Sequence, residues 1–372
     1  MVLGFIAGSH VCAQIHPEES FRGETQEPGS DDFPELVWSD EFDGEGSIDT
    51  EKWFHQTLLP NSGSWFNGEI QHYTDRVENT FLDSGYLHIM ARKETYTDQG
   101  VTKEYTSARL NSKFAFTYGK VVVRAQLPEG TGTWPAIWML GKDITEAGAY
   151  WYIQGYGTTP WPACGEIDIM EHWGSNPNYV SSATHTPSSY GATVNVGGQT
   201  VSDVSSEFHI YELEWTPEKL VFSVDDVVHF TYNPSTKNAD TWPFDDAMYL
   251  LLNVAILPSI SAGFTESPMV IDYVRVYQES VSSKDLHARA AHDPFCYPNP
   301  FSGEVTMDLG AFAGKDLNMK LYNNQGSLVR EYALRDTGNT HRMDELKGLP
   351  PGFYIIAGDA GDRQFRCQLV KK

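Results

Sequence analysis

Cysteine is scarce in this chain, with four among 372 residues. Four cysteines are too few for a disulfide scaffold, and no pair has the spacing of metal ligands. Cys164 stands in an aromatic and apolar stretch, which indicates a small buried hydrophobe rather than a nucleophile. Cys296 and Cys367 lie near the two ends of the C-terminal segment and could pair in an oxidising compartment. The disulfide-dense and cysteine-ligated zinc classes are therefore excluded.

Long apolar runs and basic residues are also missing. No apolar run reaches the roughly 18–20 residues that a transmembrane helix needs, so no membrane span is predicted. The chain has 26 Lys and Arg against 50 Asp and Glu, a formal net charge of −24. This charge opposes binding to nucleic acid or to an anionic lipid surface. The sequence therefore predicts neither kind of partner.

Helical periodicity is the third absence. No convincing amphipathic helix of twelve or more residues occurs, whereas the stretch 85–92 alternates apolar and polar residues with a period of two. Similar strand-like runs include 119–127, 248–254 and 269–278, with Gly, Pro, Asn and Asp between them. Together with 13% aromatic residues and 32 glycines, this pattern predicts an all-β sandwich or barrel with many turns.

The length of the chain predicts two or more folding units. Residues 1–13 read as the remnant of a secretion signal, because a short apolar region precedes Val11-Cys12-Ala13, although a disordered N-terminus is the alternative. Residues 14–32 are poor in apolar side chains and read as a linker. We expect the main domain at 33–279, a second linker at 280–293 and a small β domain at 294–372.

One acidic stretch, Gly165–His172, contains three carboxylates within six residues. On a regular strand Glu166 and Asp168 share one face, and Glu171 points to the other. A single bulge near Met170 would return Glu171 to the face of the other acids. Three neighbouring carboxylates repel each other, so we expect their pKa values to be pushed apart, which would leave one as an acid and another ionised.

The run Glu-Ile-Asp-Ile-Met-Glu at 166–171 resembles the active-site signature of glycoside hydrolase family 16, in its bulged form. The longer string from Trp161 to His172 is similar to the laminarinases, the endo-1,3-β-glucanases of that family. Further matches occur at 67–74, 105–109, 132–140, 208–215, 252–255 and 271–277. The resemblance implies a jelly-roll (concanavalin-like) sandwich of two curved antiparallel sheets, with a cleft across the concave face.

The same resemblance implies roles for individual residues. Glu166 would be the nucleophile, Glu171 the general acid/base, and Asp168 a hydrogen-bond partner of the nucleophile; none of this chemistry needs a cofactor. Substrate contacts are implied at Asn67, Glu69, Arg109, Trp134, Trp138, Trp161, His185 and Asn253. Trp138 could instead belong to the core, and His185 could be structural. A structural calcium is implied at the Asp272 carboxylate and the carbonyls of Glu41 and Gly85.

Three departures from the family pattern leave the substrate open. The stretch Ile256–Gly263 replaces a loop rich in glycine and tryptophan, the run 120–123 lacks the usual glutamate, and an aromatic insert occupies 148–159. We expect secreted retaining endo-hydrolysis of laminarin-type 1,3-β-glucan. The alternatives are a mixed-linkage 1,3-1,4-β-glucanase, an algal galactan hydrolase of the same family, and a non-catalytic glucan-binding protein.

The C-terminal segment begins at Cys296-Tyr297-Pro298-Asn299-Pro300 and ends on two lysines. With its Gly-Phe-Tyr run at 352–354, it resembles the C-terminal sorting domain of the type IX secretion system of Bacteroidetes-type bacteria. The segment has no tryptophan to stack on sugars, which argues against a carbohydrate-binding module. We therefore expect a secreted or cell-surface protein whose partners are a polysaccharide and the type IX machinery.

Overall fold

The computed structural model describes residues 32–60, 63–279, 294–312, 314–335, 338, 340–360 and 363–372. The chain divides into two compact units, 1–279 and 280–372. The predicted signal remnant at 1–13, the linker 14–32 apart from Asp32, and the linker 280–293 lie outside the described residues. No helix of the described residues is long and apolar enough to cross a membrane.

The described part of the first unit is built from strands, with one short α-helix and a 3-10 turn at Phe66–Gly68. The strands are β1 (Glu35–Asp40), β2 (Trp53–His55), β3 (His72–Tyr73), β4 (Thr80–Asp83), β5 (Tyr86–Asp98), β6 (Val101–Ser107), β7 (Arg109–Phe116), β8 (Gly119–Gln126), β9 (Thr133–Gly141), β10 (Glu166–His172), β11 (Tyr179–His185), β12 (Val196–Thr200), β13 (His209–Trp215), β14 (Leu220–Val224), β15 (Val227–Tyr232), β16 (Met248–Ile256) and β17 (Glu266–Gln278). The helix α1 (Tyr150–Ile153) lies between β9 and β10.

These strands form two sheets. The ten-stranded sheet has the order β15-β14-β13-β8-β17-β5-β6-β3, with β1 added on β17 and β4 on β5. The seven-stranded sheet has the order β12-β11-β10-β9-β16-β7-β2. The β3–β6 pair is parallel, and the other strand pairs of this unit are antiparallel. The prediction of an all-β sandwich is confirmed.

Strand β16 shows how the seven-stranded sheet separates core from cleft. Successive side chains of a strand point to opposite faces. Met248, Leu250 and Leu252 enter the core between the sheets, whereas Tyr249 and Leu251 pack on the outer face. Every residue of β16 is buried, which explains its nearly continuous apolar sequence. The outer face of this sheet is where the candidate site lies.

The second unit has its own strands, namely β18 (Phe295–Tyr297), β19 (Val305–Asp308), β20 (Leu317–Asn323), β21 (Leu328–Leu334), β22 (Thr340–Met343), β23 (Gly352–Ala360) and β24 (Arg363–Lys371). They form a three-stranded sheet, β18-β19-β22, and a four-stranded sheet, β21-β20-β23-β24. Both sheets contribute to one hydrophobic core, which includes Met307, Leu321 and Ile356. This is the expected small β-sandwich.

Cys296 and Cys367 both lie in the core of the second unit, and they are free thiols. A hydrogen bond joins their side chains, and it raises the pKa of the Cys296 thiol, with burial acting in the same direction. The two thiols are thus neighbours, as the sequence suggested, but the structure shows no disulfide between them. Cys164 is also a buried free thiol, as the sequence indicated.

Candidate active site

The three acids lie on β10, and the pairing of this strand contains the extra residue that the sequence calls for. On the β9 side, Asp168 pairs with Trp138 and Met170 pairs with Ile137, so two steps along β10 match one step along β9. The pairing with β11 is shifted at the same place. Ile169 and Met170 are consequently both buried in the core. The predicted bulge is confirmed, and it leaves Glu166, Asp168 and Glu171 together along the cleft.

Each carboxylate at the ends of this cluster receives a tryptophan N–H. Trp161 Nε1 donates to Glu166 Oε2 at 3.0 Å, and Trp134 Nε1 donates to Glu171 Oε1 at 3.0 Å. These bonds fix the direction of both carboxylates, because an indole N–H has a single donor direction. The two acids are thereby oriented at opposite ends of the bulge.

His185 approaches the cluster from the neighbouring strand β11, where it pairs with Glu166. Its Nε2 lies 3.2 Å from Asp168 Oδ2 and 3.5 Å from Glu166 Oε1. The backbone N–H of Gly191 donates to His185 Nδ1 at 3.1 Å. Since Nδ1 accepts this bond, the ring proton is on Nε2, where it faces the two carboxylates. His185 thus places its Nε2 edge against two of the three acids.

Burial raises the pKa of all three acids. It brings the pKa of Asp168 to about 8, and that of Glu171 to about 8 with the charge of Asp168 adding to the effect. The pKa of Glu166 is raised well above its ordinary value by burial and then by Asp168. The three pKa values were expected to be pushed apart, but all three are raised because burial acts on each carboxyl. At neutral pH the cluster therefore holds fewer than three negative charges.

The cleft beside these acids brings together residues from distant parts of the chain. It is lined by seven of the eight predicted substrate contacts, namely Asn67, Glu69, Arg109, Trp134, Trp138, Trp161 and Asn253. The eighth, His185, contacts the acids as described. Trp138 Nε1 donates to Asn253 Oδ1 at 2.7 Å across the β9–β16 pair. Trp138 therefore faces the cleft and not the core between the sheets.

Comparison with known proteins agrees with this geometry. The family model described as glycosyl hydrolases family 16 matches residues 76–275, which is more than half of the chain. The chain belongs to glycoside hydrolase family 16.

Individual relatives of this family 16 enzyme cover the same region. A β-glucanase of Rhodothermus marinus is 40% identical in an alignment of 262 positions that covers 66% of this chain and 85% of the relative. Glucan endo-1,3-β-glucosidase A1 of Niallia circulans is 33% identical over 66% of this chain and 38% of its own length. The solved structure of LamAcat from Zobellia galactanivorans has 47% sequence identity and a TM-score of 0.61, and it matches 66% of this chain and 98% of its own. The predicted jelly-roll fold is confirmed.

The second unit of the enzyme has a match of its own. The family model described as a secretion system C-terminal sorting domain covers residues 296–372. The predicted export domain is confirmed, and the family 16 enzyme is a secreted or cell-surface protein.

Glu146 is a cleft residue that no sequence motif indicated. It comes from the segment between β9 and β10 and reaches the cleft beside Arg109, with 2.9 Å between Glu146 Oε1 and Arg109 Nη2. Gln56 Nε2 donates to the same Glu146 oxygen at 2.6 Å, and Arg109 Nε donates to Gln56 Oε1 at 3.1 Å. Burial opposes the charge of Arg109, but Glu146 and other neighbours outweigh it, and the pKa of Arg109 is raised.

Glu69 lies below the cleft surface and is held by its own neighbours. Its Oε2 accepts hydrogen bonds from Gln71 Nε2 at 2.7 Å and from Tyr73 OH at 2.8 Å. Burial is the largest effect on this carboxyl, and it raises the pKa of Glu69. The exposed Asn67, two residues earlier, has a left-handed backbone (φ 54°), a conformation in which Asn is several-fold enriched.

The aromatic insert folds back onto the outer face of the seven-stranded sheet. Ile144, Ala149 and Cys164 form a small apolar cluster with Tyr249 and Leu251 of β16. Trp151 of α1 packs against this cluster, and Lys142 Nζ lies over the Trp151 ring at 4.4 Å. Because this cluster occupies the outer face, the insert bounds the cleft at the end where Glu146 lies.

The three residues implied for calcium meet on the ten-stranded sheet. Strand β17 pairs with β5 up to Ile271 and with β1 from Val274, so the end of β1 and the start of β5 meet at Asp272. Glu41 directly follows β1, and Gly85 directly precedes β5. Carbonyl and carboxylate oxygens are the donors that calcium prefers. The Asp272 carboxylate also accepts a bond from Arg124 at 2.5 Å, which would compete with a metal ion.

Proposed function

We propose that this family 16 enzyme hydrolyses internal linkages of laminarin-type 1,3-β-glucan with retention of anomeric configuration. The observation that carries the proposal is the bulged strand β10, which presents three carboxylates to one cleft. Similar proteins support the substrate, because a β-glucanase, a glucan endo-1,3-β-glucosidase and a laminarinase are among them.

Glu166 acts in this proposal as the nucleophile. Its carboxylate attacks the anomeric carbon and forms a glycosyl–enzyme ester, while the bond from that carbon to the leaving oxygen breaks. Trp161 Nε1 donates a hydrogen bond to Glu166, and His185 Nε2 lies 3.5 Å from the Glu166 carboxylate. Both residues lower the pKa of Glu166, so they oppose the effect of burial on the nucleophile.

Glu171 acts as the general acid and then as the general base. It gives its proton to the leaving oxygen in the first step and takes a proton from the attacking water in the second. A carboxyl with a pKa of about 8 is protonated at neutral pH, which suits the first step. Release of the leaving chain returns the site to water, and hydrolysis of the ester restores Glu166.

Asp168 lies between the two acids. Burial raises the pKa of Asp168 to about 8, and the three acids share their protons as one coupled group. We place the negative charge needed for attack on Glu166, because Trp161 donates a hydrogen bond to its carboxylate. His185 Nε2 lies 3.2 Å from Asp168 Oδ2 and bounds this side chain on the β11 side. Asp168 is therefore a positioning and charge-setting residue in this proposal.

The aromatic side chains of the cleft supply the sugar contacts. Trp134, Trp138 and Trp161 offer ring faces for the apolar C–H faces of pyranose rings. Asn67, Asn253 and the Arg109–Glu146 pair offer groups that can bond sugar hydroxyls. This reaction uses no cofactor, and we further propose that calcium at Asp272, Glu41 and Gly85 only stabilises the fold.

The test compares Glu166→Ala, Glu171→Ala and the exposed control Glu218→Ala on laminarin, lichenan, agarose and carrageenan, with sizing of the products. We expect wild type and the control to release oligosaccharides from laminarin. Both active-site variants lose turnover, and azide restores part of it only in Glu171→Ala, because a small anion can replace the missing base. Full activity of Glu166→Ala overturns the assignment of the nucleophile. Cleavage of another polysaccharide and not laminarin overturns the substrate.

A further inference from the structure

An exposed tyrosine stands beside the cleft in a loop that the reaction itself does not use. Tyr190 belongs to the connection between β11 and β12, and 54% of its surface is exposed. Its ring centroid lies 5.3 Å from that of Trp161, and the two ring planes are at 84°. Trp161 is itself 41% exposed and is bonded to Glu166. The two rings thus form an aromatic corner that continues the cleft outward.

The loop that carries Tyr190 is held by a dense set of hydrogen bonds. Thr186 and Ser189 bond each other through their backbones, and Thr193 Oγ1 donates to the Thr184 carbonyl at 3.0 Å. The N–H of Val194 donates to Ser189 Oγ at 3.0 Å. A loop fixed in this way holds the backbone of Tyr190 in place, so a ligand would not need to order the loop.

Exposure of this ring has no evident role in folding. A large apolar side chain contributes to stability when it is removed from water, and Tyr190 keeps more than half of its surface exposed. Its ring contacts another exposed aromatic residue, Trp161. Exposed aromatic groups that continue an existing cleft are a feature of ligand-binding surfaces.

We propose that Tyr190 is a substrate-binding residue that extends the cleft by one subsite beyond Trp161, and that it binds a pyranose unit of the glucan chain. This inference rests on the proposed function, because it takes the ligand to be the same polysaccharide. The β-glucopyranose ring has axial C–H bonds on both faces and can lie against the phenol ring. The phenol hydroxyl can bond a sugar hydroxyl at the ring edge. Tyr190 therefore sets how long a chain the enzyme prefers.

The test measures kcat/KM of the full chain on a ladder of 1,3-β-gluco-oligosaccharides of increasing length. Variants Tyr190→Ala and Tyr190→Phe are compared with Tyr179→Ala. Tyr179 starts the same strand β11, is 36% exposed, and lies about 20 Å from His185 along the strand. Thermal unfolding and the pH dependence of kcat are measured for each variant, because Gly191, the next residue, holds the catalytic-site His185.

We expect Tyr190→Ala to lose about tenfold in kcat/KM on oligosaccharides long enough to reach the corner, the effect of one buried ring face. Shorter oligosaccharides are cleaved at the wild-type rate, Tyr190→Phe retains most of the activity, and Tyr179→Ala is unchanged at every length. An equal loss at all lengths, a shifted pH profile or no loss at any length overturns the proposal. If wild type cleaves none of the ladder, the proposed substrate is wrong, and the same comparison is made with oligosaccharides of the polysaccharide that is cleaved.

Discussion

The buried pair of Arg109 and Glu146 gives a prediction about stability that can be worked from the structure. Their side chains are 3% and 9% exposed, so neither charge has ready access to water. Removing one partner of such a pair typically costs about 3–5 kcal/mol, because the other charge remains buried without compensation. Glu69 also favours the charge of Arg109, so Arg109 keeps part of its compensation when Glu146 is removed. We therefore expect Glu146→Gln to lower the free energy of unfolding by about 3 kcal/mol, the lower end of this range.

The assay is thermal and urea unfolding followed by tryptophan fluorescence. All ten tryptophans of the chain lie before residue 280, so the signal reports only on the first unit. For a unit of this size, about 3 kcal/mol corresponds to a Tm lower by about 6–12 °C. The matched control is Glu266→Gln, since Glu266 is 49% exposed and pairs with Arg92 at 3.2 Å. We expect this control to change stability by less than about 0.5 kcal/mol.

A double-mutant cycle separates the pair from its surroundings. Arg109→Met and Glu146→Leu each leave the partner's charge buried, whereas the double variant removes both charges of the pair. We expect the double variant to lose about 1–3 kcal/mol less than the sum of the single losses. Additive losses, or a loss in Glu146→Gln no larger than in Glu266→Gln, would refute the reasoning. In that case water reaches the pair and screens it.

Three further predictions concern pH and calcium. The general acid Glu171 is active when protonated, so kcat should fall as the pH rises through about 8, and a rate that stays level to pH 10 would contradict its role. The Asp168 carboxyl ionises near pH 4 in the unfolded chain and near pH 8 in the folded chain. The stability that this group contributes is therefore fully present below pH 4 and is lost as the pH rises to about 8. The Tm of Asp168→Asn should therefore fall less steeply over this range than that of wild type, and equal slopes would count against the buried neutral acid. Chelation should lower the Tm of wild type and calcium should restore it, with no response in Asp272→Asn; an unresponsive wild type removes the calcium proposal.

Much of the fold follows from local pattern, and strands β10 and β16 show why. Each alternates apolar side chains for the core with side chains for the cleft, and the bulge of β10 follows from the need to place Glu171 with the other acids. Strands β11 and β12 were not predicted. Tyr179–His185 contains two serines and a threonine, and Val196–Thr200 contains two glycines. These segments become strands because β10 and then β11 offer a sheet edge, which is information carried by distant residues.

The residues of the cleft, too, were predicted only where local sequence indicates them. The acids and tryptophans were found because they lie in one motif with a chemical logic. Glu146 was missed because it looks like an acid in an exposed turn, and its partner Arg109 is 37 residues away in the chain. Tyr190 was missed for a similar reason, since no residue near it in the sequence indicates that Trp161 lies against its ring. Such residues acquire a role only when the chain has folded.

The bulge in β10 also determines how this strand can tolerate changes of length. Because one residue at Ile169 or Met170 is surplus to the pairing, its deletion would leave a regular strand that still presents all three acids on one face. Deletion of Ile167 would instead turn Glu166 towards the core. The reaction centre can therefore lose one residue at the bulge, and not at Ile167, without turning an acid towards the core. The strand can shorten at this position while its chemistry is kept.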